Sequence, residues 1–205
     1  MNISSALQVS VLKTLYLSAR FNGKIIVLRG TRIRLGQGAR IELAPGSVLY
    51  LGRNRDIGKP LSLRVKRSGR LSIRGEVTIC CGTRILIGEN AHLELAERVF
   101  IHYDANITCW EHISMGTDSG LSWGSSIIDG NGHDILVAGR KLPKTRPVII
   151  GNRVWIGTGV IIAGASIGDG SMVGAGSVVT TNIPAKALVT GNPGTVRHKD
   201  IAWEK

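Results

Sequence analysis

Of the five histidines in this 205-residue chain, only His133 sits at a corner directly ahead of a stretch where the chain's regular pattern lapses. A neutral imidazole, titrating near 6.5, can take the proton of an alcohol as that alcohol attacks a carbonyl. It does so better when an acceptor holds its other ring nitrogen. Asp129, four residues earlier on the same corner, is the preferred holder, with Asp134 or a backbone carbonyl as alternatives. His92, His102 and His112 fall ten apart and are expected to point outward into solvent, and His198 lies in the tail. A three-histidine zinc site wants two ligands close in sequence and a third one repeat away; no such pair exists, so no metal is expected. Cys80, Cys81 and Cys109 form an odd set without metal-type spacing. They lie inside repeats and are expected to be core or outward packing residues, and the odd set speaks against a disulfide framework and for a reducing cytoplasm.

These residues need a scaffold, and the apolar spacing describes one. From about residue 25 the chain runs in apolar-x-apolar pairs such as Leu63/Val65, Leu71/Ile73, Val77/Ile79 and Ile85/Ile87, recurring every eight or six residues. A helix would space its apolar stripe by threes and fours, so the pattern predicts very short strands joined by short corners. The repeat is cleanest over Ile167-Gly168-Asp169-Gly170-Ser171-Met172 and Val173-Gly174-Ala175-Gly176-Ser177-Val178. The aliphatic and the small residue four places later face inward, and glycine permits the corner. Three hexads close one triangular coil, and stacked coils bury a continuous aliphatic column. One residue is missing around Ala163-Gly164-Ala165, where a corner of small residues can absorb the loss. The predicted organisation is a capping segment over 1–24, whose Ala6–Leu17 stretch reads as a helix, a β-solenoid over 25–183, and a tail over 184–205. Residues 134–147 form a protruding loop, and 52–61, with Arg53, Arg55 and Lys59, a smaller excursion.

Composition agrees. The chain has 27 Gly and only nine aromatic residues, as many tight turns would require, and 43% hydrophobic residues exclude a disordered chain. Its formal charge is +12, and +11 of that lies in residues 1–100. Such a field draws acidic partners, including acidic glycans and an anionic membrane surface.

Gly151-Asn152-Arg153-Val154-Trp155-Ile156-Gly157-Thr158 through Val179-Thr180-Thr181-Asn182-Ile183-Pro184, with Gly191-Asn192-Pro193 beyond, resembles the C-terminal signature of hexapeptide-repeat acyltransferases. Leu121-Ser122-Trp123-Gly124 to Ile128-Asp129-Gly130-Asn131-Gly132-His133 is similar to the branch that O-acetylates bacterial surface polysaccharides. The resemblance implies an all-β, left-handed parallel β-helix assembled as a homotrimer. It implies transfer of acetyl from acetyl-CoA (acetyl-coenzyme A) to a hydroxyl of capsule, exopolysaccharide or O-antigen, or to a precursor, without an acyl-enzyme. On this pattern His133 is the general base. Trp155, outward beside inward Ile156, would be covered by the coenzyme arm near a subunit interface, its indole N–H a donor to the developing oxyanion. Thr158, Ala175, Thr180 and Thr181 match the coenzyme contacts. Thr181 stands where a lysine is usual, and Lys186 or Arg197 would compensate as donors to phosphate. Trp123 is expected to stack on a pyranose face and the loop cations Arg140 and Lys141 to hold an acidic glycan or a nucleotide-diphosphate sugar. The alternatives are N-acetylation of an amino-sugar nucleotide, acetylation of a small sugar or amino acid, and a non-catalytic basic solenoid. No nucleic-acid partner is expected. The expected location is the cytoplasm, with the inner face of the membrane as an alternative.

Overall fold

The computed structural model describes residues 9–53, 58–130 and 132–204. The strands wind into a left-handed parallel β-helix of triangular section. Among the described residues its first face carries nine strands, from Lys24–Val27 through Trp155–Ile156 to Leu188–Thr190, closed by Thr195–His198. The second carries seven, from Arg32–Leu35 to Val178–Val179, and the third five, from Arg40–Leu43 to Val148–Ile150. Every neighbouring pair on these faces is parallel except the closing strand.

In-register stacking makes each inward position a column. On the second face Leu63, Ile85, Ile107, Ile127, Ile162 and Val179 stand one above another, all buried. Burying one such side chain is worth about 1.5–3 kcal/mol, realised only when the next coil covers it. At the short corner, Gly164 takes a positive φ of 57° and Ala165 and Ile167 stay buried, so the missing residue leaves the column intact. Corners of adjacent coils nearly touch: a Cβ on Gly168 would run into the backbone of Ala185.

Both ends of the first face are covered. Helix α1 (Val11–Arg20) lies against the first strand. Thr14 Oγ1 accepts the N–H of Val27 at 3.0 Å and Ser18 Oγ that of Ile25 at 3.1 Å, so hydroxyls one helical turn apart replace a missing strand. The helix expected over Ala6–Leu17 is thus shifted; Ala6 to Gln8 lie outside the described residues, as does Arg55 of the expected excursion. On this helix Lys13 Nζ donates to the Thr31 carbonyl and Arg20 to the Tyr16 hydroxyl. At the other end the first face runs past residue 183 into Leu188–Thr190, and Thr195–His198 folds back antiparallel upon it. Among the described residues no helix is long and apolar enough to cross a membrane.

Cys80, Cys81 and Cys109 are all buried, the core one of the two packing roles expected. Burial pushes the Cys80 and Cys109 thiols up to about 12. A thiol in that state supplies almost no thiolate near neutrality. A disulfide-exchange reagent at pH 8 is therefore expected to leave all three unmodified in the native chain and to titrate all three in denaturant. Rapid labelling of Cys80 or Cys109 in native protein would contradict this.

Candidate active site

Stacked corners build the site's first edge, between the first and second faces. The N–H of Gly124 donates to the Tyr103 carbonyl, that of Gly159 to Trp123, and that of Gly176 to Thr158. Tyr103, Trp123, Thr158 and Ala175 therefore form one ascending column along this edge. Thr158 Oγ1 shares a 3.0 Å hydrogen bond with Ser122 Oγ, and Trp123 is 50% exposed. Farther up, the Arg197 guanidinium reaches the Gly191 corner while its Nε donates to Thr190 Oγ1 at 3.1 Å. Thr180 and Thr181 follow strand Val178–Val179 and are exposed on the opposite edge, between the second and third faces. Five expected coenzyme contacts thus frame one face, on which Ile161 is exposed.

The loop bearing His133 leaves from that same opposite edge, after strand Ser126–Ile128. Its base is closed by a bridge between Gly130 and Thr145 and by the N–H of Arg146 donating to the Asp129 carbonyl at 2.6 Å. Thr145 Oγ1 also bonds Glu111 Oε2. The protruding part is a hairpin of Leu136–Val137 and Arg140–Lys141, with the Asp134 carboxylate held by Lys141 Nζ at 2.9 Å and Lys144 Nζ at 3.0 Å. Those two ammonium groups hold the Asp134 carboxyl below its usual range. Arg140 and Lys141 are exposed on the hairpin and His133 is exposed at its foot.

Asp129 has a different role from the one expected. Its carboxylate is 1% exposed and accepts three backbone N–H groups, from Trp110 at 2.6 Å and from Glu111 and His112 at 2.8 Å each. Turned into the coil below, it anchors the corner from which the loop springs and does not hold the His133 ring. Three donors converging on one carboxylate explain why a polar residue stands at a buried position. The sequence shows the aspartate but not the corner that it grips.

Trp155 points out of the first face, its ring lying over Gly120, where any Cβ would collide with it. It borders a groove of about 620 Å³ with Phe100, Thr78, Arg53 and Arg98. Part of its cover comes from its own chain: Trp203, whose Nε1 donates to the Arg153 carbonyl at 3.0 Å, lies 6.4 Å away at a 55° tilt. Nothing in the tail's composition signals that return.

His92, His102 and His112 are half-buried, contrary to the solvated positions expected, while His198 is exposed in the tail. His102 packs edge-on to Phe100, Tyr103 and Trp123 with ring centroids 5.2, 4.5 and 5.0 Å away. Its Nδ1 accepts the Tyr103 N–H at 3.0 Å, so the neutral ring offers Nε2 as a donor and is no ready base. Burial also lowers its pKa. A spacing of 20 between Tyr103 and Trp123, about one coil, was the available signal for this aromatic column.

Comparison with known proteins agrees with this fold. Residues 147–181 match the family described as bacterial transferase hexapeptide (six repeats). The chain is 33% identical over 113 residues to the provisionally named colanic acid biosynthesis acetyltransferase WcaF of Escherichia coli (strain K12). That match covers 55% of this chain and 61% of WcaF, so the chain spans about three fifths of that relative's length. Among solved structures, the polySia-specific acetyltransferase NeuO superimposes with a TM-score of 0.56 at 20% identity, over 86% of this chain and 85% of that one. AntD, an N-acyltransferase from Bacillus cereus bound to dTDP and 3-hydroxybutyryl-CoA, gives a TM-score of 0.56 at 19% identity, over 86% and 80%. At these identities the two structures speak for the fold. The chain thus resembles the hexapeptide-repeat acyltransferases in sequence and in architecture.

Proposed function

We propose that this chain transfers an acetyl group from acetyl-CoA to a hydroxyl of a bacterial surface polysaccharide or its precursor, with His133 as general base. The observation carrying the proposal is that Thr158, Ala175 and Arg197 on one edge and Thr180 and Thr181 on the other frame a single face, and that the His133 loop rises from one of those edges. The resemblance to WcaF, whose name places it in colanic acid biosynthesis, supports a glycan acceptor.

In the proposed step the hydroxyl oxygen attacks the thioester carbonyl while His133 takes its proton. The tetrahedral oxyanion collapses, the C–S bond breaks, and the proton passes to the departing thiolate. The Trp155 indole N–H donates to the oxyanion. His133 lies at the corner opposite the face of Trp155, so one site can hold both only if two copies contribute; this supports a homotrimer. Trp123 and the cations Arg140 and Lys141 are assigned to the glycan, and the basic first hundred residues favour an acidic one. The cytoplasm, where acetyl-CoA is available, is the assigned location.

A second reading, N-acylation of an amino-sugar nucleotide, rests on the structural likeness to AntD. Release of free thiol from acetyl-CoA, measured against hydroxyl-bearing glycans and amino-sugar nucleotides, separates the two. Acceptor-dependent release with hydroxyl glycans alone is the expected result; release only with amines replaces the first reading by the second, and no release with either removes both. Trp155→Phe, which keeps an aromatic ring but loses the N–H donor, is expected to lower kcat by about 10²-fold with KM for acetyl-CoA little changed. An unchanged kcat removes the indole from the oxyanion site.

A further inference from the structure

On the third face, away from the groove and edges assigned above, two histidines and a carboxylate converge. His92 and Glu94 are two residues apart on strand His92–Leu95, so alternation turns both outward. His112 is the in-register partner of His92 on the next coil. A spacing that looks unsuited to a shared site in sequence is one full turn of the solenoid here. The ring centroids are 5.6 Å apart, and the donor atoms of His92, Glu94 and His112 all lie within 4.8 Å of one another, at half-buried positions.

The geometry points to a divalent metal site of the zinc class, with His92, Glu94 and His112 as ligands. Ligands of a tetrahedral zinc ion at about 2.0–2.1 Å stand about 3.4 Å apart, and His92 Nδ1 is already 3.2 Å from Glu94 Oε1. Two imidazoles and one carboxylate are a donor set that suits zinc and its first-row neighbours. A supporting shell is also in place. His92 Nε2 is 2.7 Å from Ser72 Oγ, which lies 3.4 Å from Glu42 Oε2. With a cation on Nδ1, Nε2 carries hydrogen and donates to Ser72, whose hydroxyl donates onward to Glu42; such relays fix the ligand ring. The neighbouring cations are themselves matched to carboxylates: Arg70 lies 3.9 Å from Glu42 and Arg74 4.0 Å from Glu94. Three protein ligands leave a fourth position, and Glu94 lines a groove of about 310 Å³ with Ser72, Arg74 and Ser114. That position is open to water or to an anionic oxygen.

The test uses the untagged full chain, stripped with chelator and titrated with ZnCl₂ by calorimetry and with CoCl₂ by visible absorption. One zinc per chain and the intense d–d bands of four-coordinate cobalt are expected. His112→Asn and Glu94→Gln are each expected to weaken zinc by at least about 100-fold and to abolish the cobalt bands, while Ser72→Ala weakens zinc by about 10–100-fold. Circular dichroism in metal-free buffer checks that each variant is folded, and any that is not is replaced by His92→Gln. Fewer than one zinc per chain, or the same affinity and spectrum in the ligand variants, overturns the assignment. The outcome is independent of acetyl transfer.

Discussion

Replacing His133 by alanine is expected to lower kcat for acetyl transfer by about 10³-fold, within the range a positioned general base supplies. Binding of acetyl-CoA should stay within about twofold and the melting midpoint should not move, because the ring is exposed at the foot of a loop. A structural role would give the opposite pattern, with lost stability and weakened coenzyme binding. The two-copy site adds a stronger test. His133→Ala and Trp155→Ala chains, each inactive alone, should regain a fraction of the wild-type rate when co-expressed as mixed oligomers. Full activity in His133→Ala would end the base assignment; failure of mixing would mean that His133 and Trp155 do not share a site, which removes the indole from the proposed step.

The second large effect belongs to Asp129, through the corner it grips. Alanine there leaves three part-buried N–H groups, of Trp110, Glu111 and His112, without the buried carboxylate that accepts them. Each such loss costs about 1–3 kcal/mol. A total of about 3 kcal/mol or more corresponds, for a chain of this size, to a fall of about 6–12 °C in Tm. The loop base starts from the Asp129 carbonyl, so kcat should fall as well, even at temperatures where the variant is folded. A variant melting within a degree of wild type, with unchanged turnover, would show that the carboxylate neither holds the corner nor places the loop.

Legibility differed between scaffold and site for a physical reason. The inward column is periodic, so Leu63, Ile85, Ile107 and their partners announce themselves in a single sequence. Corner columns such as Tyr103–Trp123–Thr158 recur only once per coil, and their period drifts wherever a corner gains or loses a residue. His92 and His112 were misjudged in the same way: twenty residues apart along the chain, they are neighbours across one hydrogen-bonded step. Asp129 was recognised as important but given the wrong partner, because the N–H groups that claim it come from the preceding coil. The return of Trp203 to Trp155 has no periodic signal at all.

The two lids close the first face at its two ends. A parallel ladder ends in a row of unpaired amides and carbonyls, and such a row recruits any further strand offered to it. Thr14 and Ser18 occupy that row at one terminus with side-chain oxygens, and Thr195–His198 occupies it at the other by running the wrong way for continued winding. On that face, coils from separate molecules therefore cannot continue the parallel ladder end to end.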